Sequence, residues 1–253
     1  VVVTLAHNQP LITQSRYGIG SFVYRARRPF DPLKLYRLFE GYFILLQDEV
    51  GDDEDEEDGG DDIYESDASR GSVEDSDEMS ENDERTAPMD DATILANKRT
   101  SPFFSGLHRS KGLFWLATRP FQMGSWSTAG AMLTLGSEMP WFCCVSEEEW
   151  GADEETMKAI KADFEGEWGD RRQEMVLIGE KLDVDRLTKL FDSCLLSRAE
   201  MSRWEMIMGN KKTDDETKEE KLGKVWDDGY WAEWPRAGQN NNDHQHHGYS
   251  HAH

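Results

Sequence analysis

Arg109-Ser-Lys-Gly-Leu-Phe-Trp-Leu-Ala-Thr-Arg-Pro120 decides the reading of this chain. Leu113, Phe114, Trp115, Leu116 and Ala117 form an unbroken apolar run of strand length, which predicts a buried strand over 112–118. Gly112 opens the run and Pro120 stops it, while Arg109, Lys111 and Arg119 bracket it with positive charge. Two further stretches accompany it. Tyr17-Gly-Ile-Gly-Ser-Phe-Val-Tyr-Arg-Ala-Arg-Arg-Pro-Phe30 alternates, with Phe22, Tyr24 and Ala26 on its more apolar, core-directed face and Ile19, Val23 and Arg25 on the other. Gly169-Asp-Arg-Arg-Gln-Glu-Met-Val-Leu-Ile-Gly179 is apolar on both faces through Met175-Val-Leu-Ile178, so 172–178 reads as a central strand.

Helices are marked by their caps. Asp31 precedes Pro32, an N-cap followed by proline at the first helical position. Leu35, Phe39, Tyr42, Phe43 and Leu46 then share one helical face, predicting a helix that ends near Gln47. Segments 123–128 and 131–136, separated by Ala129-Gly130, form a hairpin. Ser146 and Glu149 have capping-box spacing, and Met157, Ile160, Phe164 and Trp168 continue as a helical stripe to Gly169. Asp183 caps a helix whose stripe is Leu187, Leu190, Phe191 and Cys194. Met201, Trp204 and Met208 give another helix over 197–208, and Trp126 and Trp141 are expected in the core.

This order gives an α+β fold: an antiparallel or mixed sheet backed by helices, with ferredoxin-like overtones. Residues 1–14 read as a linker or remnant, 15–208 as the domain, 209–238 as a charged and aromatic extension, and 239–253 as a flexible His-rich tail. Within the extension, 226–234 is expected to pack back on the domain as a clasp. The first residues, Val-Val-Val-Thr-Leu-Ala, carry no Met and no basic leader, so the chain is expected to be a piece of a longer protein.

Acidity is local. Between Asp48 and Asp91 there are 22 Asp or Glu against 2 Arg, so the remaining chain carries only about −3 of the formal −23. Residues 48–92 lack the large apolar side chains needed to offset ordering entropy, and read as a disordered insertion inside one domain. The balance argues against a nucleic-acid partner, and the lack of an apolar run of about 18 residues argues against a membrane span. Three cysteines, two of them adjacent, imply no disulfide framework and favour a reducing compartment, cytoplasm or nucleus.

The three stretches together resemble the C-terminal domain of the CobW family of metal-handling P-loop GTPases. The segments that carry the likeness are Ser21 to Phe30, Arg109 to Arg119 and Gly169 to Gly179, within roughly 17–191. The resemblance implies a domain that follows a GTPase half, in proteins associated with cobalamin synthesis, nitrile hydratase activation or zinc transfer to clients. It also implies partners: a GTPase domain in cis or trans and a metal-dependent client. The sequence contains no G-x-x-x-x-G-K-[ST] phosphate loop. The family's C-x-C-C metal motif is missing too, since Cys143-Cys144 does not match it. GTP hydrolysis is therefore not expected of this chain, and no other catalytic constellation is legible.

The candidate metal ligands are His244, His246, His247, His251 and His253, five imidazoles in the last ten residues. Imidazole suits Zn²⁺, and a flexible tail can gather three or four ligands; a solvated low-complexity end without a metal role is the other reading. The acidic insertion is either a spacer or a contact for basic partners. Arg25, Arg27, Arg28, Arg109, Lys111, Arg119, Arg171 and Arg172 either pair with carboxylates such as Asp170 and Glu174 or line a docking face. Cys143, Cys144 and Cys194 read as small buried hydrophobes, and His108 as a structural residue at a strand entrance. The expected function is an accessory, regulatory or client-recognition domain of a zinc metallochaperone. The alternative is a free-standing interaction module that uses its sheet and acidic insertion and has no metal role.

Overall fold

The computed structural model describes residues 18–47 and 89–234. Its centre is a six-stranded mixed sheet in the order β1-β6-β3-β4-β5-β2. The strands are β1 (Ile19–Ala26), β2 (Ile44–Gln47), β3 (Leu107–Phe114), β4 (Gln122–Ala129), β5 (Met132–Pro140) and β6 (Gln173–Glu180). All pairings are antiparallel except β2 with β5. The fold is thus α+β, with β6 central, as its apolar sequence required.

Register sorts the side chains into two faces. On the inner face Tyr24, Met175, Gly112, Trp126 and Leu135 lie in one cross-strand row, and Phe22, Leu177, Ser110, Thr128, Leu133 and Leu45 in the next. Gly112 sits where an added Cβ would lie 2.1 Å from the Glu174 carbonyl oxygen. Its bare backbone is therefore required for β3 to approach β6. The buried hydroxyls in this layer satisfy one another: Ser110 and Thr128 share a 2.8 Å hydrogen bond, and Trp126 Nε1 donates to Ser110 Oγ at 2.7 Å.

Helix α1 (Pro32–Phe39) and helix α4 (Val184–Cys194) cover this face, each capped by the expected aspartate. They bring Leu35, Phe39, Leu187, Phe191 and Cys194 against the strands. A second core lies beyond the end of β3, where Trp115, Trp141 and Met123 meet Met201, Trp204 and Met208 of α5 (Arg198–Met208) and Leu222 of α6 (Asp215–Gly223). The 226–234 segment closes the assembly as expected. Trp231 Nε1 donates to the Pro32 carbonyl at 3.1 Å, and Arg119 stacks on Trp234 and pairs with Asp228.

Several expectations are corrected. The helix after Asp31 stops at Phe39 rather than near Gln47, and 44–47 becomes an edge strand parallel to β5. Phe43 still reaches the core, against Phe104, so the apolar spacing was real but served two elements. The expected strand over 112–118 begins at Leu107, which places Arg109 and Lys111 inside it. Trp115, Leu116 and Ala117 lie past its end and are held instead by a bridge to Phe30. Helix α2 (Asp91–Thr100), capped by Asp90, occupies the last residues assigned to the acidic insertion; the rest of that expectation lies outside the described residues. The 157–168 stripe is interrupted: α3 (Glu154–Ala162) is short, Phe164 is exposed, and Trp168 closes a separate turn. The charged 210–221 stretch contains α6, which its sequence did not announce.

Candidate docking face

The second face of the sheet carries a different population. One row contains Val23, Val176, Lys111, Ser127, Thr134 and Leu46; the adjacent row contains Ile178, Arg109, Ala129, Met132 and Ile44. Among these, Ile178, Met132 and Leu46 are 39%, 40% and 44% exposed, and Ile19 at the strand edge is 37% exposed. None of these residues belongs to either core. The helices that bury the inner face leave this one open, so two adjoining central strands, β6 and β3, present valine, isoleucine, arginine and lysine to the surface.

The basic residues divide into two groups. Arg25 donates to Glu174 at 3.0 Å, and Arg172 to Glu174 and Asp163 at 2.6 and 3.1 Å. Arg27 meets Glu165 and Arg119 meets Asp228, both at 3.1 Å. Glu174 shows the cost and its compensation. Burial pushes its carboxyl up, and the Arg172 and Arg25 guanidiniums more than offset that, leaving it below the usual range. Arg28 binds the Leu196 carbonyl at 2.5 Å. Arg109 and Lys111, in contrast, are exposed on the open face, and no ion pair joins either to a described carboxylate.

Arg171 departs from the carboxylate-pairing expectation. It is buried and donates to the Pro120 and Trp168 carbonyls and to the sulfurs of Cys143 and Cys144. Those two cysteines are half-buried rather than core hydrophobes, a correction; Cys194 is buried, as expected from its helical stripe. His108 lies at an irregularity near the start of β3, with Nε2 3.4 Å from Glu180.

His244, His246, His247, His251 and His253 all lie outside the described residues. Among the described residues no group of three or more His, Cys, Asp or Glu is placed to hold a metal ion. No described helix is long and apolar enough to cross a membrane. A cleft of about 860 Å³ lies between Arg119, Trp234 and the carboxylates of α6, and a smaller one of about 240 Å³ reaches Cys144.

Sequence reasoning missed the exposure of Ile178 and the half-exposure of Val176, because an apolar strand was taken as buried on both sides. The available signal was the outward face of β1, where Val23 pairs with Val176 and Ile19 lies on the same face.

A mixed sheet with one helix-covered face and one open face defines the class: an α+β domain. Residues 85–195 match the model of the cobalamin synthesis protein cobW C-terminal domain, so this stretch is similar to that family. The match starts after β1, α1 and β2, yet β1 pairs along its whole length with β6, so the folded unit extends beyond the matched segment. The zinc-regulated GTPase metalloprotein activator 1 of Dictyostelium discoideum is 25% identical over 186 residues, which is 73% of this chain and 27% of that protein. The chain thus spans about a quarter of that relative's length. The Zn(II)-bound YjiA GTPase of E. coli aligns at 13% identity and a TM-score of 0.34, covering 71% of this chain and 30% of that one. A Zn(II)-bound triple mutant of YjiA gives the same figures.

Proposed function

We propose that this chain is the accessory half of a zinc metallochaperone and that its open sheet face docks on a GTPase domain, in cis or in trans. The carrying observation is that Ile178 stands exposed and Val176 half-exposed on β6, an interior strand of the sheet. An apolar patch on interior strands of a sheet, rimmed by charge, is the anatomy of an interaction surface rather than of an idle one. Arg109 and Lys111 beside it favour a partner surface with carboxylates at matching positions. The family of the domain and the printed name of the Dictyostelium relative support a zinc-handling context.

In this reading nucleotide hydrolysis belongs to the partner domain. This chain contributes recognition of the GTPase domain or of a metal-dependent client. Zn²⁺ is cargo, collected by His244, His246, His247, His251 and His253, in the cytoplasm or nucleus.

Two measurements test the proposal. Binding of a separately produced GTPase domain of the Dictyostelium relative is compared between the parent chain and Ile178→Asp. Loss of at least tenfold in affinity with an unchanged melting temperature is expected; equal binding would sink the docking face. Zinc calorimetry on the whole chain and on a version ending at Gly238 tests the tail. Saturable binding that disappears on truncation supports it. Undiminished binding would remove the histidines from the mechanism, and no binding in either form would favour the interaction module without a metal role.

A further inference from the structure

The loop after β5 and the turn before β6 meet at a second constellation, away from the open face. Cys143 and Cys144 share a short 3-10 turn (Phe142–Cys144), and their sulfurs are 4.0 Å apart. Asp170 pins that turn by accepting from the backbone N–H groups of Phe142 and Cys143, each at 3.0 Å. Gly169 lets the two segments approach: its φ is +67°, and an added Cβ would lie 2.5 Å from Cys143 Cβ.

Arg171 faces both sulfurs. Its Nη1 donates to Cys143 Sγ and its Nη2 to Cys144 Sγ, each at 3.0 Å, and the residue is only 7% exposed. Its remaining described acceptors are two carbonyl oxygens, with no carboxylate among them. A buried guanidinium cannot lose its proton, and the neighbouring Asp170 carboxylate is turned to the Phe142 and Cys143 N–H groups instead of bonding it, so the charge of Arg171 favours an anion at the atoms it does contact. The two sulfurs can provide one. A thiolate on one cysteine would accept from Arg171 and from the thiol of the other.

The surroundings favour Cys144 as the anion. The hydrogen bond from Cys143 lowers its titration, burial opposes this, Arg171 lowers it again, and Asp170 and Asp215 act against it; the net direction is down. Cys143 moves up, because its proton is engaged by Cys144 and because it is buried. Cys144 also lines a cleft of about 240 Å³ with Phe121, Pro140 and Val145 and the carboxylates Asp215, Glu216 and Glu219, so the residue borders a space that an uncharged small molecule can enter.

We propose that Cys144 is a nucleophilic thiolate that reacts with small hydroperoxides, and that Cys143 is its resolving thiol. The Cys144 sulfur attacks the distal peroxide oxygen. An S–O bond forms, the O–O bond breaks, and the departing alkoxide or hydroxide takes a proton from water. Sulfur is oxidised by two electrons and the peroxide is reduced. The Cys143 thiol then attacks the sulfenic sulfur: an S–S bond forms, the S–O bond breaks, and the departing hydroxide takes the thiol proton and leaves as water. Neighbouring Cα atoms lie about 3.8 Å apart across a trans peptide, shorter than the usual span of about 4.4–6.8 Å for disulfides. The product is therefore strained and readily reduced by cellular thiols, which makes the pair a reversible sensor.

The test uses the whole chain. Native alkylation by iodoacetamide is followed against pH by peptide mass spectrometry, and hydrogen peroxide is then applied with and without a sulfenic-acid trap. Cys144 is expected to alkylate at least tenfold faster than Cys194 at pH 7, with a midpoint below the ordinary thiol value of about 8.5. Arg171→Lys raises that midpoint. Cys143→Ser, which leaves the buried arginine in place, also raises it and converts the peroxide product from a disulfide to a trapped sulfenic acid. A Cys144 midpoint at or above the ordinary value, oxidation of Cys194 as fast as Cys144, or no disulfide in the parent chain would each overturn the proposal.

Discussion

Gln173 and Trp115 are joined by a two-way hydrogen bond between one side chain and one backbone unit. Gln173 Oε1 accepts from the Trp115 N–H, and Gln173 Nε2 donates to the Trp115 carbonyl, both at 2.9 Å. The same Nε2 also donates to the Arg28 carbonyl at 2.9 Å, and the residue is fully buried. The pairing of β3 with β6 ends at Leu113 and Glu174, and this amide takes over where the ladder stops. It thereby fixes the buried Trp115-Leu116-Ala117 run between the two cores.

Gln173→Met keeps the length of the side chain but leaves the buried Trp115 N–H and the Arg28 carbonyl short of a partner, while the Trp115 carbonyl keeps the Phe30 N–H at 2.8 Å. Unsatisfied groups of this kind cost about 1–3 kcal/mol each. A loss of roughly 3 kcal/mol in urea unfolding is expected. A loss under about 1 kcal/mol would show that the amide is not holding the run.

Gly112→Ala places a methyl group 2.1 Å from the Glu174 carbonyl oxygen and 2.6 Å from Met175 Cα. Backbone cannot swing aside as a side chain can, so β3 must move off β6. The expected cost is about 3 kcal/mol or more, with Gly41→Ala, where nothing lies within 4 Å, as the benign control. Thermal melts of the two variants compare them directly.

Trp231→Ala removes the ring that packs on Phe39 and Phe114 and donates to the Pro32 carbonyl. Truncations of this size cost about 3–5 kcal/mol. Faster proteolysis near residues 225–234 should accompany the lower melting temperature. Unchanged stability would mean that the clasp is an ornament of the fold.

Glu174 carries an acid-sensitive share of stability. Its carboxyl titrates below the usual range in the folded state, against about 4.3 when unfolded. The folded value is the lower one, so its contribution is complete above about pH 4.3 and is lost as pH falls through the folded value. Glu174→Gln should therefore melt earlier than the parent at pH 7, and the two should converge in acid. A constant gap from pH 7 to 3 would assign the effect to packing instead of charge.

Much of the domain was legible because caps and periods are local. Asp31 and Asp183 each cap a helix, and the Ala129-Gly130 turn closes a hairpin with Gly130 at φ +61°. The readings that failed did so at junctions. Residues 35–46 had helical spacing throughout, yet the helix ends at Phe39 and 44–47 go to the sheet edge beside β5. Cys143 and Cys144 read as core residues because nothing in their own stretch shows that Arg171, 27 and 28 residues away, would turn toward their sulfurs.

The sequence by itself determined the α+β class, the centrality of β6, the helix starts and the inward row of β1, since each follows from charge, capping or alternation within a few residues. Only the tertiary structure decided which apolar side chains stay uncovered and which arginines lack a carboxylate. Ile178 and Leu177 are adjacent and equally apolar, but α1 and α4 pack on one face of the sheet alone. Burial is a property of what arrives from elsewhere in the chain, and strand periodicity names two faces without saying which will be covered.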